Sequence, residues 1–217
     1  MRFPSSAMAL GAAVLALLLL SGPLSLLAQQ TIDLPKPQTD GGKPLMQVLK
    51  SRQSSREFAA ERLSLPVLSN LLWAAWGVSR ADGRRTAPSA SNRQEIDVYL
   101  AMADGLYLYE APQHRLQLVL KEDIRAKTGS QPFVGTAPLN LIYVADYSKM
   151  TAKPEDRPNW AAADAAFIGA NVYLFCASEG LATVFRAMVD RDALGKAMKL
   201  KPDQHITFCQ TVGYAKK

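Results

Sequence analysis

The chain has 217 residues, is 48% hydrophobic and 20% charged, and carries a formal net charge of +6. That balance excludes a disordered or fibrous chain and bounds the answer to one globular domain. The Lys and Arg residues form no basic block, so the charge suits a small anionic ligand at least as well as nucleic acid, and no nucleic-acid partner is expected.

Residues 1–28 read as a signal peptide. Arg2 leads into the uncharged apolar run Met8 to Leu20, a Ser-Gly-Pro break covers Ser21 to Pro23, and small Ala28 offers a cleavage point. No Arg pair precedes the run, so export by the unfolded-chain route is expected, to the bacterial periplasm. Left uncleaved, the same stretch would anchor the protein to the membrane.

Residues 29–43, with Pro35, Pro37 and the pair Gly41-Gly42, predict an extended leader. The domain then runs over 44–217. A short helix is expected from Pro44 through LMQVLKSR. Ser64 offers an N-cap for a second helix with Pro66 in its first turn, Leu68, Leu71, Leu72 and Ala75 on one face, and Gly77 as its stop.

Between that helix and the first long strand lies GRRTAPSASNRQEID, Gly83 to Asp97, far denser in small polar residues than a turn requires. Alternation at Ile96, Val98, Leu100 and Met102 then predicts a strand, Asp104-Gly105 a tight turn, and LYLYE and HRLQLVL two more strands of a meander. A short helix is expected around Glu122 to Lys127, ending at Gly129. NLIYVAD reads as a buried central strand. The longest helix is expected over Trp160 to Ser178, capped by Gly180 and apolar on most faces, hence covered by other elements or by a second subunit. LATVFRAMV reads as strand or extended turn, Asp190 caps the helix RDALGKAMKL, and HITFCQTVGY closes the chain as a strand. Helices and strands mix without βαβ alternation, so the class is α+β in one layered domain.

Several reaction types lack their residues. His114 and His205 have no metal-binding companions, and no nucleophile elbow, phosphate-binding P-loop or dinucleotide fingerprint is present. Asp and Glu form no pair recognisable as an acid/base couple. Cys176 and Cys209 sit among apolar residues and read as two buried thiols. An enzyme built this way relies on a cofactor for the difficult chemistry.

Two segments offer cofactor contacts. In SRQSSREF, Ser51 to Phe58, the forked donors of Arg52 and Arg56 and the hydroxyls of Ser54 and Ser55 can grip a phosphate. In Pro88-Ser89-Ala90-Ser91-Asn92, small residues allow the backbone to approach a flat ligand, and Asn92 and Gln94 supply amides for a heteroaromatic edge.

Together these segments resemble the nitroreductase family, whose signatures are R-x-S-x-[RK]-x-F near the start and P-S-[SA]-x-N-x-Q before the first long strand. They stand here as Arg52 to Phe58 and Pro88 to Gln94. FIGANVYLFCASEGLAT is similar to the family's long dimer helix, and the meander with GLYLYE and HRLQLVL looks like the branch that includes azoline-oxidising dehydrogenases. The resemblance implies an antiparallel or mixed sheet flanked by helices, a homodimer with shared flavin sites, and bound FMN. Arg52, Gln53 and Ser54 would hold the FMN phosphate and ribityl chain, with Arg56 near flavin N1 and O2. Pro88, Ser89, Ala90 and Asn92 would come from the partner subunit, and the backbone N–H groups of Ala187 and Met188 would meet N5 and O4. The implied activity is ping-pong hydride transfer between a small-molecule donor and an acceptor. The alternative is an inactive carrier or sensor of a flavin or another anionic ring compound. The family's basic residue beyond the last strand has no match at Tyr214-Ala215-Lys216-Lys217, which leaves Lys216, Arg84, Arg85 and Arg186 as candidates for a second phosphate contact.

Overall fold

Alternation over Ile96–Met102 is buried on both sides: Ile96, Val98, Leu100 and Met102 face one core, and Tyr99 and Ala101 face a second. A strand covered on both faces needs helices above and below it, and the chain supplies them. The structure, a computed structural model, describes residues 30–216; the expected signal peptide lies outside them.

In chain order the elements are β1 (Thr31–Asp33), α1 (Leu45–Ser51), α2 (Leu65–Trp76), β2 (Ile96–Met102), β3 (Gly105–Glu110), β4 (Arg115–Leu120), β5 (Leu139–Asp146), α3 (Arg157–Glu179), β6 (Leu181–Arg186), α4 (Arg191–Met198) and β7 (Gln204–Tyr214). Seven strands form one sheet in the order β1-β4-β3-β2-β5-β7-β6, with every neighbouring pair antiparallel. On one face α2 and α3 pack over Val98, Leu100, Leu141 and Tyr143. Leu71 and Leu72 of α2 are wholly buried there, each stabilising the fold by about 2 kcal/mol. On the other face Leu194 and Met198 of α4, with Ile124, cover Tyr99, Ile142, Val144 and Cys209.

The helix limits follow their local chemistry. Ser64 occupies the N-cap position of α2, though its side chain makes no capping bond, and Pro66 lies in the first turn. Gly77 ends α2 in an extended conformation, its N–H donating to Trp73 O at 2.8 Å. Gly180 closes α3 at φ 73°, a left-handed cap that favours glycine. Both cysteines are free, buried thiols.

Two expectations are corrected, and the extended leader adds an edge strand, since Thr31–Asp33 pairs with β4. The helix expected around Glu122–Lys127 is a 3-10 turn at Arg125–Thr128. There Asp123 chelates the Arg125 guanidinium and also accepts its backbone N–H, which competes with a helical ladder. His114 lies outside the strand, in the turn before β4, at φ 50°. Its imidazole tethers the leader. Ser69 Oγ donates its single proton to Pro35 O at 2.6 Å, so His114 Nε2–H donates to Ser69 Oγ at 2.7 Å, and Nδ1 accepts from the Tyr109 hydroxyl at 2.9 Å. Burial holds this imidazole below its usual pKa of 6.5.

Candidate functional site

α1 ends at Ser51, and the chain then runs extended along the outer edge of β6. Ser55 N–H donates to Thr183 O at 2.9 Å, Ala59 N–H donates to Tyr214 O at 2.9 Å, and Phe58 bridges Ala215. With its backbone fixed, the segment turns Arg52, Gln53, Ser54 and Arg56 outward, all exposed. Among the described residues neither Arg52 nor Arg56 enters an ion pair. Ser54 Oγ lies 2.7 Å from the Tyr173 hydroxyl, and the Arg52 guanidinium stands over the Tyr173 ring at 5.3 Å. Gln53 and Ser55 border a cleft of about 240 Å³ with Tyr173, Leu181, Thr183 and Ala215.

The four candidates for a further cation separate cleanly. Lys216 donates its backbone N–H to Glu57 O at 3.4 Å, so it runs beside this segment with an exposed side chain. Arg84 is held by Asp82 at 2.7 Å. Arg85 donates to Gln94 Oε1 at 2.8 Å and lies over Trp76. Arg186 is buried, donating to Thr211 Oγ1, Thr128 O and Asn140 Oδ1. Geometry favours Lys216.

The loop Pro88–Asn92 forms a second wall. It borders a cleft of about 270 Å³ with Arg80, Arg84 and Thr86. Ser91, Asn92 and Gln94 all sit near φ 52°, the left-handed region that costs residues other than glycine. Internal bonds hold that shape: Gln94 N–H donates to Ser89 Oγ at 3.0 Å, and Asn92 N–H donates to Ser89 O at 2.9 Å. The Gln94 amide is consumed inside the loop, accepting from Arg85 and donating to Gly83 O and Asn92 Oδ1. It acts as a brace, whereas the sequence suggested a ligand contact; the Asn92 Nδ2 donors remain outside these bonds.

Ala90 N–H donates to Asp164 Oδ2 of α3 at 2.8 Å. Asp164 and Glu95 are both buried, and their carboxyls face each other. Burial above all, with the Asp164 carboxyl nearby, pushes Glu95 up from 4.5 to about 7, and among the described residues neither Glu95 carboxyl oxygen has a hydrogen-bond partner. This pairing favours a protonated Glu95 near neutral pH. Sequence reasoning missed it because the partners sit on a loop and a distant helix, with no spacing to mark them.

Within the chain the two segments are separate. The loop is tied to α3 at Asp164 and the arginine segment at Tyr173, about 14 Å further along the helix at 1.5 Å per residue. The third expected contact, Ala187–Met188, is an exposed turn following β6, with Met188 61% exposed. Met188 O accepts from Ser130 at 3.4 Å, and among the described residues neither the Ala187 nor the Met188 N–H donates to the protein. These two donors are available to an acceptor outside the chain.

Comparison with known proteins places this arrangement. The model of the nitroreductase family matches residues 49–214. A protein of Methanocaldococcus jannaschii, provisionally assigned as a nitroreductase, is 30% identical over 182 residues, covering 79% of this chain and 91% of its own. A crystal structure from Ralstonia eutropha with the same provisional assignment shares 43% identity at a TM-score of 0.83, covering 87% of this chain and 91% of that one. Another, from Desulfovibrio desulfuricans and in complex with FMN, superposes at a TM-score of 0.60 with 19% identity, covering 82% and 89%.

Proposed function

Because the chain belongs to the nitroreductase family, we propose that it is an exported, homodimeric, FMN-dependent oxidoreductase. The observation that carries the proposal is the pair of exposed guanidiniums of Arg52 and Arg56, free of ion pairs among the described residues and set on a backbone pinned to β6 and β7. Arg52, Gln53 and Ser54 would hold the phosphate and ribityl chain, with Lys216 as the added cation and Arg56 at the ring edge. The unused N–H groups of Ala187 and Met188 fit the hydrogen-bonding edge of an isoalloxazine. Pro88, Ser89, Ala90 and Asn92 of a second subunit would close the site.

Bound FMN would supply reversible hydride transfer, first from a small-molecule donor and then to an acceptor. The chain's own part is to bind, orient and shield. Dimerisation is supported by exposed apolar side chains on two helices packed together: Leu45, Met46 and Leu49 of α1, and Trp160 and Phe167 of α3. The apolar N-terminal stretch supports export to the periplasm.

The test is spectroscopic. Protein incubated with FMN and then dialysed should stay yellow, bleach with a reductant and turn over a nicotinamide donor with a quinone or nitroaromatic acceptor. Protein that stays colourless overturns the reading, and stoichiometric binding without turnover makes it a carrier or sensor instead.

A further inference from the structure

Tyr173 projects from α3 toward the end of β6. Its oxygen accepts from Phe185 N–H at 2.9 Å and contacts Ser54 Oγ at 2.7 Å, while its ring lies under the Arg52 guanidinium. A tyrosine hydroxyl has one proton and two lone pairs, so the backbone bond to Phe185 orients it and leaves it able to bind Ser54. The ring acts differently on Arg52. A carboxylate partner would hold the guanidinium but neutralise it and occupy the same in-plane N–H groups that a phosphate needs. An aromatic face holds the cation through its π surface and leaves those donors free.

We propose that Tyr173 is a positioning residue that presets Arg52 and Ser54 for a phosphorylated ligand, fixing both before the ligand arrives. An exposed arginine otherwise explores many rotamers, and ordering it on binding weakens affinity; prior ordering removes that loss. The inference rests on the cofactor reading above. It adds a residue outside both recognised motifs and assigns it to the phosphate end of the site alone.

The experiment titrates FMN and riboflavin, which differ by the phosphate, against the wild-type protein, Tyr173→Phe and Tyr173→Leu, following flavin fluorescence. Tyr173→Phe keeps the ring and loses the hydroxyl, and should weaken FMN by about 3- to 10-fold. Tyr173→Leu loses both and should weaken FMN by about 10- to 50-fold. Riboflavin affinity should change by less than about 2-fold in each, since no phosphate is present to lose a contact. Equal weakening of both flavins, or unchanged FMN affinity in Tyr173→Leu, overturns the assignment while leaving the cofactor reading intact. Wild-type protein that binds neither flavin overturns both.

Discussion

The buried carboxyl pair makes stability depend on pH in a direction opposite to the usual carboxylate. Glu95 rises from 4.5 to about 7 on folding, which corresponds to about 3 kcal/mol. Because the folded value is the higher one, this stabilisation is fully present below 4.5 and is lost as the pH climbs through about 7. Glu95→Gln keeps the size of the side chain and cannot ionise. The variant and the wild-type protein should therefore melt alike near the unfolded value of 4.5. By about pH 8 the variant should be the more stable, by up to that same ~3 kcal/mol, or about 6–12 °C in Tm for a chain of this size. Thermal unfolding followed by circular dichroism across that range measures the gap. Curves that run parallel, with no gap opening in alkali, would refute the raised Glu95 value. The outcome matters for function because Asp164 is also the tether of Ala90.

A methyl group at Gly129 would clash with Arg186 Nη1 and come within 3.0 Å of Met188 O. Gly129→Ala should therefore cost about 1–3 kcal/mol and loosen the Ala187–Met188 turn, read as a lower Tm; an unchanged Tm would show that Arg186 yields easily. His114 titrates below its usual value of 6.5, so its contribution weakens as the pH falls through 6.5 and below, the reverse of Glu95. Limited proteolysis should cut the leader faster under mild acid in wild-type protein, and a rate that ignores pH would remove His114 as its latch.

Most of the fold could be read from periodicity because the elements bury patterned faces. β2 and β5 alternate or run apolar, α2 carries Leu68, Leu71, Leu72 and Ala75 inward, and Gly180 marks the end of α3. β1 escaped because three residues cannot show a period, and its reason for being a strand is an edge of β4 that lies far along the chain. The Arg125–Thr128 turn escaped because side-chain bonds from Asp123, invisible to a hydropathy pattern, set its backbone. The two polar motifs were legible as exposed or loop-borne clusters of hydrogen-bond donors. What holds them in place was not: Tyr173 reads as one more apolar position of a long helix, Glu95 and Asp164 gain their roles only through long-range packing, and the bracing bonds of Gln94 within its own loop leave no hydropathy pattern.

The earliest part of the chain seals both rims of the sheet. Thr31–Asp33 covers the flank of β4, Ser55 donates to β6, and Lys43 N–H reaches Ser178 Oγ across 135 positions. A ribosome thus delivers Lys43 and the Ser55–Ala59 segment long before the late elements they fit. Contacts of such span wait on loop closure, so a nascent chain keeps this segment uncommitted until β6 and β7 have emerged.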